Sequence, residues 1–309
     1  MAEALHNSIT DVYCLRPTFT RNLIHTLLER RRSVNLIGPP GCGKRRLLED
    51  VRDCKLPDTL VLLLDLRAHK QSYTGFLDEL WRQCPHSGGK ASQDLGKLVT
   101  KLENSGQRVL LLLDHFDALL DNPDIDPKFD ARFHDHLNSL KNHPRMALAC
   151  VTVEPHDHSI IFVQGQPRGT SWLDLEQCVL PPLSGLEVRT EIQRRRPELD
   201  PVTVTAIFET VYNRERSYAL LNVILNKWTN REDIHLPLWK RLQKWRKQFE
   251  AAANGVHTSR LYRGLRTLRA WWATAGLPNP KQLAKALGSP LGALGRLIER
   301  LGKGGGDKP

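Results

Sequence analysis

LIGPPGCGKR, residues 36–45, decides how the rest of the chain is read. A short apolar run, Val34 to Ile37, leads into it, and a helix-like segment opens at Lys44. Glycines at 38, 41 and 43 let consecutive backbone N–H groups curl around a phosphate. The helix N-terminus adds its positive dipole end, and Lys44 reaches the outer phosphate oxygens. A bare GxxxxGK string is common, but GPPGCGK between a strand and a helix reads as a phosphate-binding loop. The last residue quoted breaks the pattern. Where a hydroxyl would ligate Mg²⁺, the chain has Arg45, a second cation that offers no oxygen.

Outward from the loop, the chain alternates between two periods. Residues 20–31 put Leu23, Ile24, Leu27 and Leu28 on one helix face. Apolar runs of strand length follow at Val34–Ile37, Leu60–Leu64, Val109–Leu113 and Ala147–Val153, with a fifth expected at Gln177–Leu180. Between them lie helix-like segments at Arg45–Arg52, Thr74–Gln83, Leu95–Asn104 and Phe129–Lys141. Strands apolar on both faces that alternate with helices predict an α/β fold, a parallel sheet covered on both sides. In RVLLLLDHFDALL, residues 108–120, one such strand ends in Asp114, a carboxylate able to hold a metal's water shell.

Beyond Pro181 and Pro182 only helical periods remain: Gly185–Arg196, Val202–Asn213 and Arg216–Trp228, then Leu238–Ala253 and Ser259–Trp272. The segment Pro278–Leu301 reads as helix, tight turn, helix, with Leu283, Ala284, Leu287, Leu291, Leu294, Ile298 and Leu301 on its apolar side. The expected organisation is a P-loop α/β domain over 1–180, an all-α lid over 181–235, a basic winged-helix-like domain over 236–302 and a disordered tail over 303–309.

Charge follows the same division. The whole chain of 309 residues carries a formal +11, yet residues 240–309 alone hold 15 Lys+Arg against 3 Asp+Glu, a net of +12. Such a segment faces phosphates or an acidic partner. Arg260, Arg263, Arg266, Arg269, Lys281, Lys285 and Arg296 are its candidate DNA-backbone contacts. The second helix begins with Gly292, Ala293 and Gly295 and has almost nothing to read base edges, so contact without sequence preference is expected. Six cysteines are scattered singly, with no CxxC pair, which argues against a disulfide framework or zinc finger. No run reaches the roughly 20 apolar residues of a membrane helix, and the first residues lack a signal-peptide pattern. A soluble cytoplasmic protein without a membrane partner is expected. His134 and His136 flank Asp135, but positions i and i+2 point to different helix faces, so surface histidines are expected rather than a metal site.

These motifs resemble those of the AAA+ and STAND branches of P-loop ATPases, particularly the initiator-like ATPases related to origin-recognition proteins and transposition regulators. The resemblance covers roughly residues 10–230. It implies that Gly38, Pro39, Pro40, Gly41, Cys42, Gly43, Lys44 and Arg45 form the Walker A loop for ATP or ADP. Asp114 becomes the Walker B aspartate and metal ligand, Thr152 the sensor 1 residue, and VLPPLSGLEV the start of the lid. Arg214 or Arg216 then stands in the sensor 2 region. Two departures accompany the matches. Arg45 replaces the Mg²⁺-ligating hydroxyl, and His115 stands where AAA+ members usually carry the water-orienting glutamate. Asp117 can substitute only if the strand end bends.

Three readings stand side by side: a switch that binds ATP or ADP with impaired hydrolysis, a slow ATPase remodelling DNA or protein, and a nucleotide-free structural subunit. The resemblance implies a nucleotide-gated adaptor or regulator of the kind found in transposition and bacterial defence. Its candidate partners are DNA or an acidic protein, an effector protein, and further copies of the chain.

Overall fold

The computed structural model describes residues 12–84, 94–119, 124–153, 160–163, 166–169, 173 and 175–252. The helix-turn-helix expected over Pro278–Leu301, the seven basic candidates from Arg260 to Arg296 and the 303–309 tail lie outside the described residues. Contacts divide the chain into two units, Met1–Leu242 and Gln243–Pro309.

The first unit is built on five parallel strands: β1 (Val34–Ile37), β2 (Thr59–Asp65), β3 (Arg108–Asp114), β4 (Met146–Thr152) and β7 (Glu176–Val179). Their spatial order is β2-β3-β4-β1-β7. A separate antiparallel pair, β5 (Ile160–Val163) and β6 (Gln166–Gly169), was not foreseen from the sequence.

Strand pleating sorts the apolar runs into two cores. Val109, Leu111 and Leu113 point to one face, where, beyond the single turn α3 (Leu66–His69) that follows β2, they meet α4 (Tyr73–Gln83), α5 (Leu95–Asn104) and α6 (Ala131–Asn142). Leu110 and Leu112 point to the other, against α1 (Pro17–Leu28) and α2 (Lys44–Asp53). This period of two is why the runs are apolar throughout: both faces are covered, as a parallel sheet requires.

Beyond β7 come α7 (Gly185–Arg195), α8 (Pro201–Val211) and α9 (Ser217–Thr229), the triplet expected from the sequence. A capping box between Ser184 and Glu187 starts α7, and the Asp200 side chain caps α8. Val188, Ile192, Val204, Ile207, Val211, Leu221, Ile224 and Leu225 are all buried. Residues 238–252 are helical as well. Among the described residues no helix is long and apolar enough to cross a membrane.

One expectation is overturned. His134 is buried, not on the surface, with its ring centroid 5.0 Å from that of Phe133. The cause is the width of the buried stripe on α6, which takes in Phe133, His134, Leu137 and Leu140. His136 remains partly exposed, and Asp135 faces solvent.

Candidate functional site

The sheet order puts β1 between β4 and β7, while the chain leaving β1 passes through α2 to β2 at the far edge. The crevice beyond the carboxyl ends of the strands is where such sheets take their ligands. Gly38 to Gly43 occupy it. Gly41 has φ +83° and Gly43, the N-cap of α2, has φ +100°, left-handed conformations that favour glycine. Lys44 Nζ donates to the carbonyls of Gly38 and Pro39, so the ammonium lies within the curve of the loop.

Register gathers the polar strand ends. Asp65 on β2 lies directly beside Asp114 on β3, and Thr152 on β4 beside Ile37 on β1. Asp114 is only 1% exposed. Its Oδ1 accepts the His115 N–H at 3.0 Å, while Oδ2 has no hydrogen-bond partner. Oδ2 instead faces the Arg45 guanidinium, with Nη1 at 3.6 Å, and the His115 ring, with Nδ1 at 3.1 Å. The Arg45 Nε also donates to Glu49 at 2.9 Å, one helical turn on. Burial by itself would lower the Arg45 pKa, but Glu49, Asp114 and Asp65 together outweigh it and raise it.

Asp65 was not singled out from the sequence. Its Oδ1 is 3.2 Å from His115 Nδ1, and its Oδ2 is 3.1 Å from Arg67. Burial pushes its carboxyl up, but the Arg67 hydrogen bond and the nearby imidazole outweigh this and hold it low. Asp65, Asp114 and His115 bring donor atoms within 4.8 Å of one another. His115 has φ +54°, and a 3₁₀ turn over Phe116–Leu119 follows, so the strand end does bend before Asp117. Thr152 Oγ1 donates to Asn35 Oδ1 at 3.0 Å.

Two further groups close on the loop from outside the sheet. Arg216 is the N-cap of α9, and its Cβ would lie 3.3 Å from a Cβ added to Gly41. Arg214 is exposed. In the first turn of α9 the Ala219 N–H donates to the Gly41 carbonyl at 2.9 Å. Arg16, just ahead of α1, is 2% exposed and donates to the carbonyls of Cys42 at 3.1 Å and Pro181 at 2.8 Å. Its Nε and Nη1 have no hydrogen-bond partner among the described residues, and burial lowers its pKa.

Residues 32–176 match the NACHT domain family. This segment is a NACHT domain. It is thus a P-loop NTPase domain of the STAND class, and the resemblance to initiator-like ATPases holds for its fold. No curated protein matches the chain. Among solved structures, the chain is similar to the Aeropyrum pernix ORC2 protein in its ADPNP–ADP complexes, with a TM-score of 0.53 and 17% identity over 78% of this chain and 71% of that one. The ADP form of the same protein gives a TM-score of 0.51 at 17% identity, covering 78% and 72%. That likeness extends past the NACHT domain, since 78% coverage must include residues outside 32–176. Arg16 and Arg216 both lie outside the NACHT match while touching its phosphate loop.

Proposed function

We propose that the protein is a nucleotide-binding switch that holds ATP or ADP with little dependence on Mg²⁺ and hydrolyses ATP slowly. The observation that carries this reading is the Arg45 guanidinium 3.6 Å from Asp114 Oδ2. In a metal-dependent loop, a hydroxyl and this carboxylate would share a hydrated divalent ion. Here the residue after the loop lysine brings its own positive charge to that oxygen. Mg²⁺ at the phosphate-loop position does not fit this donor set, so no catalytic step is routed through it. Arg45 and Lys44 supply the charge that neutralises phosphate, and the loop amides and α2 dipole supply the rest.

Phosphoryl transfer depends on positioning and charge stabilisation, and both are compromised by Arg45 and by His115 in place of a carboxylate. Binding and hydrolysis are therefore separable, which suits a gated adaptor better than a motor. The net +12 of residues 240–309 gives that adaptor a surface for duplex DNA. The P-loop domain over 1–180, the lid over 181–235 and the basic domain over 236–302 remain the proposed division of labour.

Titration of the full chain with labelled ATP and ADP, in Mg²⁺ and in chelator, tests the reading. Binding should persist in chelator and vanish in Lys44→Ala protein. Tight binding by Lys44→Ala, or none by the parent, overturns it.

A further inference from the structure

We propose that Cys14 and Cys54 form an oxidisable dithiol, a modification site at which a peroxide ties the N-terminal segment to the far end of the phosphate-loop helix α2. Their sulfurs are 3.8 Å apart across 40 residues of chain. Among the described residues no other pair of cysteines shares such a contact, although all six thiols are free.

The backbone on both sides of the pair is fixed. The Leu15 N–H donates to Asp50 Oδ2 at 2.9 Å, and Asp50 Oδ1 is held by Arg46 Nε at 2.8 Å. Cys54 is the C-cap of α2, and its N–H bonds to the Asp50 carbonyl. One aspartate therefore positions both thiols. A disulfide needs an S–S distance of about 2.05 Å, so the sulfurs at 3.8 Å must close by about 1.8 Å, within reach of side-chain rotation and a small backbone shift.

The two thiols are not equivalent. The hydrogen bond from Cys54 holds the Cys14 thiol below its ordinary pKa against the opposing effect of burial, and the same contact together with burial drives Cys54 well above its own. Cys14 is also the more accessible, at 6% exposed against 0%. It is therefore the attacking sulfur and Cys54 the resolving one. The Cys14 thiolate attacks hydrogen peroxide: an S–O bond forms, the O–O bond breaks, and the leaving hydroxide takes a proton to become water. Cys54 then attacks the sulfenic sulfur: an S–S bond forms, the S–OH bond breaks, and a second water leaves with the Cys54 proton. Two thiols and one peroxide give one disulfide and two waters. The ring so closed, residues 14–54, encloses the whole phosphate loop.

The test uses the full chain, reduced, desalted and exposed to hydrogen peroxide, then alkylated in denaturant and weighed. Two of the six cysteines should escape alkylation. Trypsin should yield peptide 1–21 linked to peptide 53–55, separable by dithiothreitol. Ring closure should raise the thermal midpoint by about 5 °C in the parent and not in Cys14→Ser or Cys54→Ser protein. Cys84→Ser should still cross-link. The peptide map of the parent decides the matter even if a variant fails to fold. Six alkylated cysteines after peroxide, or a linkage joining any other pair, overturns the proposal.

Discussion

Arg45→Thr exchanges the guanidinium that stands 3.6 Å from Asp114 Oδ2 for a hydroxyl of the kind that ligates metal. Two unit charges 3.6 Å apart interact by about 4.6 kcal/mol at an effective dielectric of 20. The Arg45 side chain is 42% exposed and shared with Glu49, so solvent screening brings the pair down to roughly 1 kcal/mol. A nucleotide phosphate meeting the same half-exposed guanidinium gains about as much, about fivefold in Kd. In the parent, chelating the metal should therefore change the Kd for ATP by less than about threefold. In Arg45→Thr the affinity in chelator should fall about fivefold, and Mg²⁺ should restore it. Calorimetric titration of both proteins with ATP, in Mg²⁺ and in EDTA, reads this directly. The reasoning is refuted if the parent binds only with Mg²⁺, or if the variant binds equally well under both conditions.

Two other outcomes are expected. Adding His115→Glu to Arg45→Thr should raise phosphate release in single-turnover assays by roughly 10²-fold, because a general base and a metal ligand return together; unchanged turnover with intact binding would place the defect elsewhere. Replacing Arg263, Arg266 and Lys285 with Ala should weaken binding to two unrelated duplexes alike and flatten the slope of log K against log salt by about 2.7, three phosphate contacts at about 0.9 each. A preference for one duplex would contradict the sequence-independent contact expected of this segment.

The middle of the sheet was legible because Val109–Leu113 and Ala147–Val151 are uninterrupted apolar runs, and burial on both faces leaves no other reading of them. The phosphate loop was legible because its glycines serve a local backbone need, seen in the φ of Gly41 and Gly43. Asp65 was not, although TLVLLLD and RVLLLLD are near copies. What gives the first carboxylate its neighbour is the pairing of β2 with β3 across more than 40 intervening residues, a non-local fact. Arg16 escaped for a related reason. A single arginine before a helix reads as surface charge, and only the fold puts Cys42 and Pro181 within its reach. The β5–β6 pair carries no alternation in QPRG that would announce a strand.

Arg16 ties three stretches that are far apart along the chain: its own segment, the loop at Cys42, and Pro181 ahead of α7. A guanidinium at 2% exposure cannot exchange these carbonyls for water without being uncovered. The three stretches must then open together or not at all, as one cooperative unit in hydrogen exchange rather than three. That unit begins well before residue 32 and ends beyond residue 176, so the smallest piece of this chain able to keep its loop in shape is larger than the NACHT domain it contains.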